Sequence, residues 1–303
     1  MMKSLKTWTN YSKFREDRGR FIADILESIG DIRDTCILDI GCGEGGTTAI
    51  LNQRGAHVYA LDLSDKLAYK SAKINFSIMD ALALAFKEKT FDFIIMQDVV
   101  EHVTDAATLF TEAKRVLKSD GMMYLCTPNR LSPLNLIADP HWNLPGVSLL
   151  SRNWVKFTVA KLLRVDHRKR TDYAALLSYF KINALLQQKS LKHQFLTSLV
   201  VDCLFTKPHS IVCNPLHLTI IRLLERIKFD KVLCKHINNK DNFLNKFINP
   251  TWFMLIYPDS AKWDLFPRNE VKWNAVPSSE AEWNGKVLDP ASRDHRAAAV
   301  IRR

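Results

Sequence analysis

The sequence predicts an α/β fold: a doubly wound, mostly parallel sheet of seven strands, with a helical insert before the last one. Three observations predict it. Short β-rich runs alternate with helical patterns through the first 130 residues, joined by short connections. The run FDFIIMQD at 91–98 is apolar almost throughout, as a strand covered on both faces must be. A glycine cluster, GCGEGG at 41–46, directly follows the first β-rich run, where a tight strand-to-helix turn needs residues without a Cβ.

Each element follows from local pattern. Residues 14–29 place Phe21, Ile22, Ile25, Leu26 and Ile29 on one helical face. TCILDI (35–40) is the first strand and 47–53 the helix after the glycines. HVYALD (57–62) is the second strand, and Ser64 can cap a helix over the following SDKLAYKSAK. INFSIMD (74–80) and FDFIIMQD are the third and fourth strands. A helix over 104–117 turns Leu109, Ala113, Val116 and Leu117 inward, and GMMYLCTP (121–128) is the fifth strand. The pattern then loosens into a proline-rich stretch to about residue 150, read as a long ordered loop or lid. A helix is predicted over 172–190, a sixth strand over 193–202, one amphipathic helix over 215–236, and a last strand over TWFMLIYP (251–258). The patternless tail from 259 is expected to be poorly ordered. The boundaries are 1–34 for an N-terminal helical segment, 35–130 for the core, 131–258 for lid, insert and remaining strands, and 259–303 for the tail.

Composition narrows the class. With 47% hydrophobic residues the chain can bury a large core. No uncharged apolar run is long enough for a transmembrane helix, and the first residues lack the apolar segment of a secretory signal. The six cysteines form no C-x-x-C pair and read as free thiols in a reducing, cytoplasmic setting, with peripheral membrane attachment left open. The net charge is +11, yet residues 151–250 alone hold 18 Lys/Arg against 6 Asp/Glu. The rest of the chain is therefore near neutral. Such a region can be a solvated face, or can meet an anionic membrane surface, a lipid-linked substrate or nucleic acid. Nucleic acid is the weakest of these, since no RNA-binding or zinc-finger signature accompanies the charge.

The glycine turn carries the chemistry. Its pattern is D-I-G-C-G-E-G, with Asp39 two residues before Gly41, and not the G-x-G-x-x-G of dinucleotide enzymes. A carboxylate there suits a ligand with an ammonium group better than a pyrophosphate, which points toward S-adenosyl-L-methionine. Gly41 and Gly43 would let the backbone approach that ligand. Asp62 ends the second strand, where an acid can take both ribose hydroxyls. Asp80 ends the third, where an acid can accept from an adenine amino group. Each of these acids could instead cap a helix or face water. Their joint position at three successive strand ends favours a ligand site.

On the segments LDIGCGEG (38–45), ALDLS (60–64), MDALALAF (79–86), FDFIIMQDVVEHV (91–103) and RVLKSDGMMYLCTPN (115–129), the sequence resembles class I S-adenosylmethionine-dependent methyltransferases. More narrowly it resembles the type 11 group, which includes the quinone-biosynthesis methyltransferases. The resemblance spans residues 35 to about 130. It implies a Rossmann-like sheet with an antiparallel strand at its edge, a role that TWFMLIYP fits. It also implies that Asp39, Gly41, Gly43, Asp62, Asp80, Ala81 and Gln97 line the cofactor site. No metal ligands are expected among the site residues. Strand four lacks the Asn-Pro-Pro-aromatic run of adenine methyltransferases.

The expected activity is methyl transfer to oxygen or carbon of a small-molecule or lipid-linked acceptor. An RNA methyltransferase using the basic region and a non-catalytic cofactor-binding module are the alternatives. An oxygen acceptor gains from a general base, and His102 and His141 are the candidates. His102 could instead cap a helix or hold the cofactor loop. His141 could be an ordered loop residue packed by Trp142, and Asp139 could orient either imidazole.

Overall fold

The run CILDI forms β1 (Cys36–Ile40), which pairs in parallel with β2 (His57–Asp62) on one side and β4 (Phe91–Gln97) on the other. β3 (Asn75–Ile78) extends the sheet beyond β2, and β5 (Leu117–Pro128) beyond β4. The order is β3-β2-β1-β4-β5-β7-β6, with β7 (Thr251–Pro258) antiparallel to both β5 and β6 (Leu191–Phe195). The chain builds outward from β1 in one direction and then returns to build in the other. The switch point therefore lies between β1 and β4, where open α/β sheets bind ligands at their carboxyl ends. The computed structural model describes residues 5–68, 74–158, 173–212 and 215–261.

Seven strands and a mostly parallel sheet match the expectation, but the place of the last strand does not. β7 lies inside the sheet, and β6 is the edge. Burial explains the order. β7 is buried at every position from Trp252 to Pro258, whereas β6 exposes Lys192 and half-buries His193 and Gln194.

Both faces of the sheet are covered. On one, Leu38, Ile40, Met96 and Trp252 pack with Phe110 of α3 (Ala106–Val116) and Ile182 of α6 (Tyr179–Gln188). On the other, Ile37, Ile95 and Leu255 pack with Phe21 and Ile25 of α1 (Leu5–Ile29), Ile50 of α2 (Gly46–Gln53) and Cys203 of α7 (Thr197–Thr206). Adjacent residues of one strand thus serve opposite cores, which is why these strands read as unbroken apolar runs.

Buried Arg18 ties α1 to the sheet. Its guanidinium donates to the carbonyls of Ser210 (2.8 Å) and Ile211 (3.1 Å), and lies over the rings of Phe14 and Phe253. These partners offset the desolvation of the charge.

Five other expectations change. Residues 64–68 are not helical, and the rest of that predicted helix, 69–73, falls outside the described residues. The lid stretch holds a short helix, α4 (Pro133–Ile137), and a second, α5 (Arg152–Phe157), follows it. The predicted strand over 193–202 is β6 followed by α7. The single helix over 215–236 is two, α8 (Pro215–Arg226) and α9 (Phe229–His236), broken where Lys228 takes φ +59°. The predicted helix over 172–190 starts at Tyr179, with the Ser178 side chain accepting from the Lys181 N–H. The tail beyond residue 261 lies outside the described residues. Cys36, Cys42, Cys126 and Cys203 are free thiols; the Cys213 and Cys234 side chains lie outside the description. No described helix is long and apolar enough to cross a membrane.

α1 and α2 touch at Gly19, where a Cβ would stand 2.9 Å from the Thr47 Cα. Gly19→Val should force the helices apart and lower stability by about 1–3 kcal/mol. Urea unfolding checks this, with an unchanged midpoint counting against the close contact.

Candidate active site

β1 ends in a turn that bends three times through the left-handed region, at Gly41 (φ +70°), Gly43 (+56°) and Gly45 (+86°). The turn is pinned to β2, since the N–H groups of Gly41 and Cys42 both donate to the Leu61 carbonyl, at 2.8 and 3.0 Å. The two site glycines differ in role. A Cβ on Gly41 would lie 2.6 Å from Val99 Cγ2, so Gly41 is required by the segment after β4. A Cβ on Gly43 would meet no atom of the described residues within 4 Å. Gly43 therefore borders open space at the switch point, a cradle that a side chain would fill.

The acids surround this turn in three ways. Asp62 is mostly buried and holds the turn itself. Its Oδ2 accepts from the Gly43 N–H (3.1 Å) and its Oδ1 from the Ser64 N–H (3.2 Å). Asp80 is exposed, with Oδ1 accepting from the Leu82 N–H, and Ala81 beside it is buried. Asp39 is only 2% exposed and accepts a 2.6 Å bond from the Thr48 hydroxyl. Burial pushes its pKa up to about 6, against the pull of that bond and of the Arg15 charge. It sits beneath the turn, bonded to α2. Gln97 ends β4, buried, with Oε1 accepting weakly from Thr47 at 3.4 Å. Its Nε2 is buried with no hydrogen-bond partner among the described residues. An orphaned amide donor, an open glycine and a carboxylate at the next strand end fit a ligand with a carboxylate and a ribose diol.

The segment after β4 brings a second group together. Asp98 is exposed and takes φ +56°, an unusual conformation for a non-glycine residue. Glu101 is fully buried, with Oε2 accepting from the Thr127 hydroxyl (2.9 Å) and Oε1 making no hydrogen bond among the described residues. Burial raises its pKa to about 8, and the nearby Asp98 charge adds to the rise. The rings of His102 and His141 lie edge to face with centroids 5.1 Å apart. Glu101, His102 and His141 each offer a ligand atom, all within 4.8 Å of one another. That set has the composition of a divalent cation site, although no metal is expected from the sequence.

His141 arrives on the lid through an Asx turn. Asp139 Oδ1 accepts from the N–H groups of His141 (2.9 Å) and Trp142 (3.0 Å). It builds this turn, and stands 3.8 Å from His141 Nδ1, beyond hydrogen-bond length. Trp142 stacks on Tyr173. Arg152 of α5, which sequence reasoning missed, fastens the lid to the core. Its guanidinium donates to three successive carbonyls, those of Glu101 (3.1 Å), His102 (2.9 Å) and Val103 (2.6 Å). No local motif marks it, because its partners are backbone atoms some 50 residues earlier.

This sheet order, glycine turn and acid placement define a class, and comparison with known proteins gives the same one. Residues 38–125 match the methyltransferase domain family, and this core is a class I S-adenosylmethionine-dependent methyltransferase domain of the type 11 group. Phosphoethanolamine N-methyltransferase 2 of Caenorhabditis elegans is 30% identical over 112 residues, 33% of this chain and 26% of that protein. The ubiquinone biosynthesis O-methyltransferase of Nitrosomonas europaea is 32% identical over 117 residues, 35% of this chain and 49% of that protein. Its counterpart in Neisseria meningitidis serogroup C is 25% identical over 186 residues, 56% and 78% of the two chains. The chain thus spans about a quarter and about half the length of the first two relatives. Among solved structures, an S-adenosylmethionine-dependent methyltransferase from Mesorhizobium loti overlays with a TM-score of 0.49 at 14% identity, covering 77% of this chain and 94% of that one. All the expected cofactor residues and His102 fall within residues 38–125; His141 and Arg152 fall outside.

Two predictions follow from this geometry. If Asp62 takes the ribose diol as expected, Asp62→Ala should weaken binding of S-adenosylhomocysteine by roughly 2–4 kcal/mol, with loss of the clamp on Gly43 as well. Calorimetry on the folded variant reads it, and unchanged affinity would remove Asp62 from the site. The second concerns pH. Glu101 has a folded pKa above its ordinary 4.5, so the native state holds an extra proton between about 4.5 and about 8. Stability of the ligand-free protein should therefore fall as pH rises through that window. Glu101→Gln should flatten the slope above about pH 6, leaving the part that Asp39 contributes below it. Urea midpoints across pH test this; an unaltered slope in the variant rejects it.

Proposed function

We propose that the chain transfers the methyl group of S-adenosylmethionine to an oxygen or carbon of a small-molecule or lipid-linked acceptor. One observation carries the reading: the paired imidazoles of His102 and His141 stand one short segment away from the glycine turn. Val99 touches Gly41 with its side chain and accepts from the His102 N–H with its carbonyl, at 2.9 Å. A group that can take a proton is thereby held beside the donor's end of the site.

The bound donor supplies an already activated methyl group on a sulfonium. The protein's task is then alignment and proton removal. Asp62, Gly43 and Gln97 hold the donor, with Asp39 fixing the turn from below through Thr48. His102 or His141 takes the proton from the acceptor as its nucleophile forms, an imidazole nitrogen serving as the base. The relatives named for ubiquinone-biosynthesis O-methylation and phosphoethanolamine N-methylation support a small acceptor. No structural observation favours RNA.

The 4.8 Å grouping of Glu101, His102 and His141 supports a second reading, in which these residues hold a divalent cation that binds the acceptor oxygen. Variants and chelation together separate the two. Under the acid–base reading His102→Ala or His141→Ala lowers turnover by about 10²–10⁴, donor affinity hardly changes, and a chelator has no effect. Loss on chelation with recovery on adding a divalent ion supports the cation reading instead. Wild-type turnover in both variants rejects both. A labelled donor with lipid, quinone and glycan extracts provides the assay.

A further inference from the structure

The exposed apolar side chains are not scattered. Among the described residues, every exposed large apolar side chain except Leu63 and Ile78 lies between Leu134 and Ile248, the half of the chain that also carries the positive charge. Within it, α8 and α9 form a corner, turned by Lys228. Leu218 and Ile221 of α8 are buried, while Ile220, Leu223 and Ile227 are 46, 59 and 65% exposed. At about 100° per residue, the three exposed side chains form one stripe, turned away from the two buried ones. Arg222 and Arg226 lie along one flank of that stripe, and both are exposed. α9 continues the surface with exposed Phe229 and Val232, beside exposed Lys228 and Lys231. Over 215–236 the chain has five Lys/Arg against Glu225 and Asp230.

We infer that the α8–α9 corner is a docking surface for an anionic lipid bilayer. The inference deepens the proposed methyl transfer, since a lipid-linked acceptor would then be met at the membrane. The pairing of an apolar stripe with a cationic flank selects the occupant. A bilayer interface takes aliphatic side chains below the headgroups while long basic side chains reach the phosphates. A second copy of the chain would bring the same cations against one another across a two-fold contact. A nucleic acid would use the cations and leave the aliphatic stripe uncovered.

Vesicle flotation of the full chain tests the inference, using phosphatidylcholine alone and phosphatidylcholine mixed with phosphatidylglycerol. The protein should float with the mixed vesicles and not with the neutral ones, and salt should weaken binding. Arg222→Glu with Arg226→Glu, and separately Leu223→Ser with Ile227→Ser, should each lower vesicle affinity by at least ~10-fold. Affinity for S-adenosylhomocysteine should stay unchanged in both, showing that they fold. No binding to mixed vesicles at low salt overturns the inference. So does a serine variant that turns a dimer into a monomer in sedimentation while binding vesicles normally. Failure of the methyl-transfer reading is distinct: it appears as absent methyl transfer in the labelled-donor assay, whatever the vesicles show.

Discussion

The site depends on one missing Cβ. β1 and β4 are neighbours in the sheet, so the turns leaving them run side by side at the switch point. They come so close that Val99 occupies the space beside Gly41 that any side chain would need. Two consequences follow. The glycine turn is held in its left-handed path by the hydrogen bonds of residues 41 and 42 to Leu61 and by the Asp62 carboxylate, and so presents Gly43 toward open space. The β4 segment, pressed against Gly41, places Glu101 and His102 at the same strand ends. The proposed donor site and the proposed proton-accepting group thus share one contact, that between Val99 and Gly41.

Burial sets the electrostatics around that contact. Asp39 and Glu101 are carboxyls placed where their charged forms are poorly solvated, and each has one hydroxyl partner, Thr48 and Thr127. A single neutral hydrogen bond does not replace the hydration of a carboxylate, so both pKa values stay raised. Burial therefore favours the protonated form of Glu101 until something cationic approaches it. That makes it a poor surface acid and a suitable neighbour for an imidazole that gains a proton, because a cation beside it favours its ionised form.

The sequence was legible where the cause of structure is local. The five strands of the core, the turn at 41–45 and the helix capped by Asp105, whose carboxylate accepts from Ala107 and Thr108, all announce themselves within a few residues. Illegibility begins where the cause is distant. The run over 193–202 reads as one strand, yet α7 begins at Thr197. Its first turn is capped from outside, by Asn239 accepting from the Ser198 N–H and hydroxyl, and by Thr197 bonded to Asn245. Caps lying 41 and 48 residues away leave no local trace. The position of β7 is a similar case. Its composition speaks for an interior strand, and only the half-polar β6 shows which strand must take the edge. His141 and Arg152 were separable from their surroundings only in part: the histidine by its residue type, the arginine not at all.

This division has a functional meaning. Everything expected to hold the donor comes from the matched core, near neutral in charge and fixed by parallel strands. His141, Arg152 and the exposed basic and apolar surfaces come from the lid and insert. Arg152 joins the two halves at the backbone of Glu101, His102 and Val103, and Ala175 adds a further bond to the Glu101 carbonyl (2.8 Å). A change in how the lid sits is therefore felt first by the residues nearest the proposed methyl acceptor, and only through them by the glycine turn. Such an arrangement lets the acceptor-facing lid diverge while the donor-facing core keeps its geometry, because the Arg152 and Ala175 links to residues 101–103 run through main-chain carbonyls that every sequence possesses.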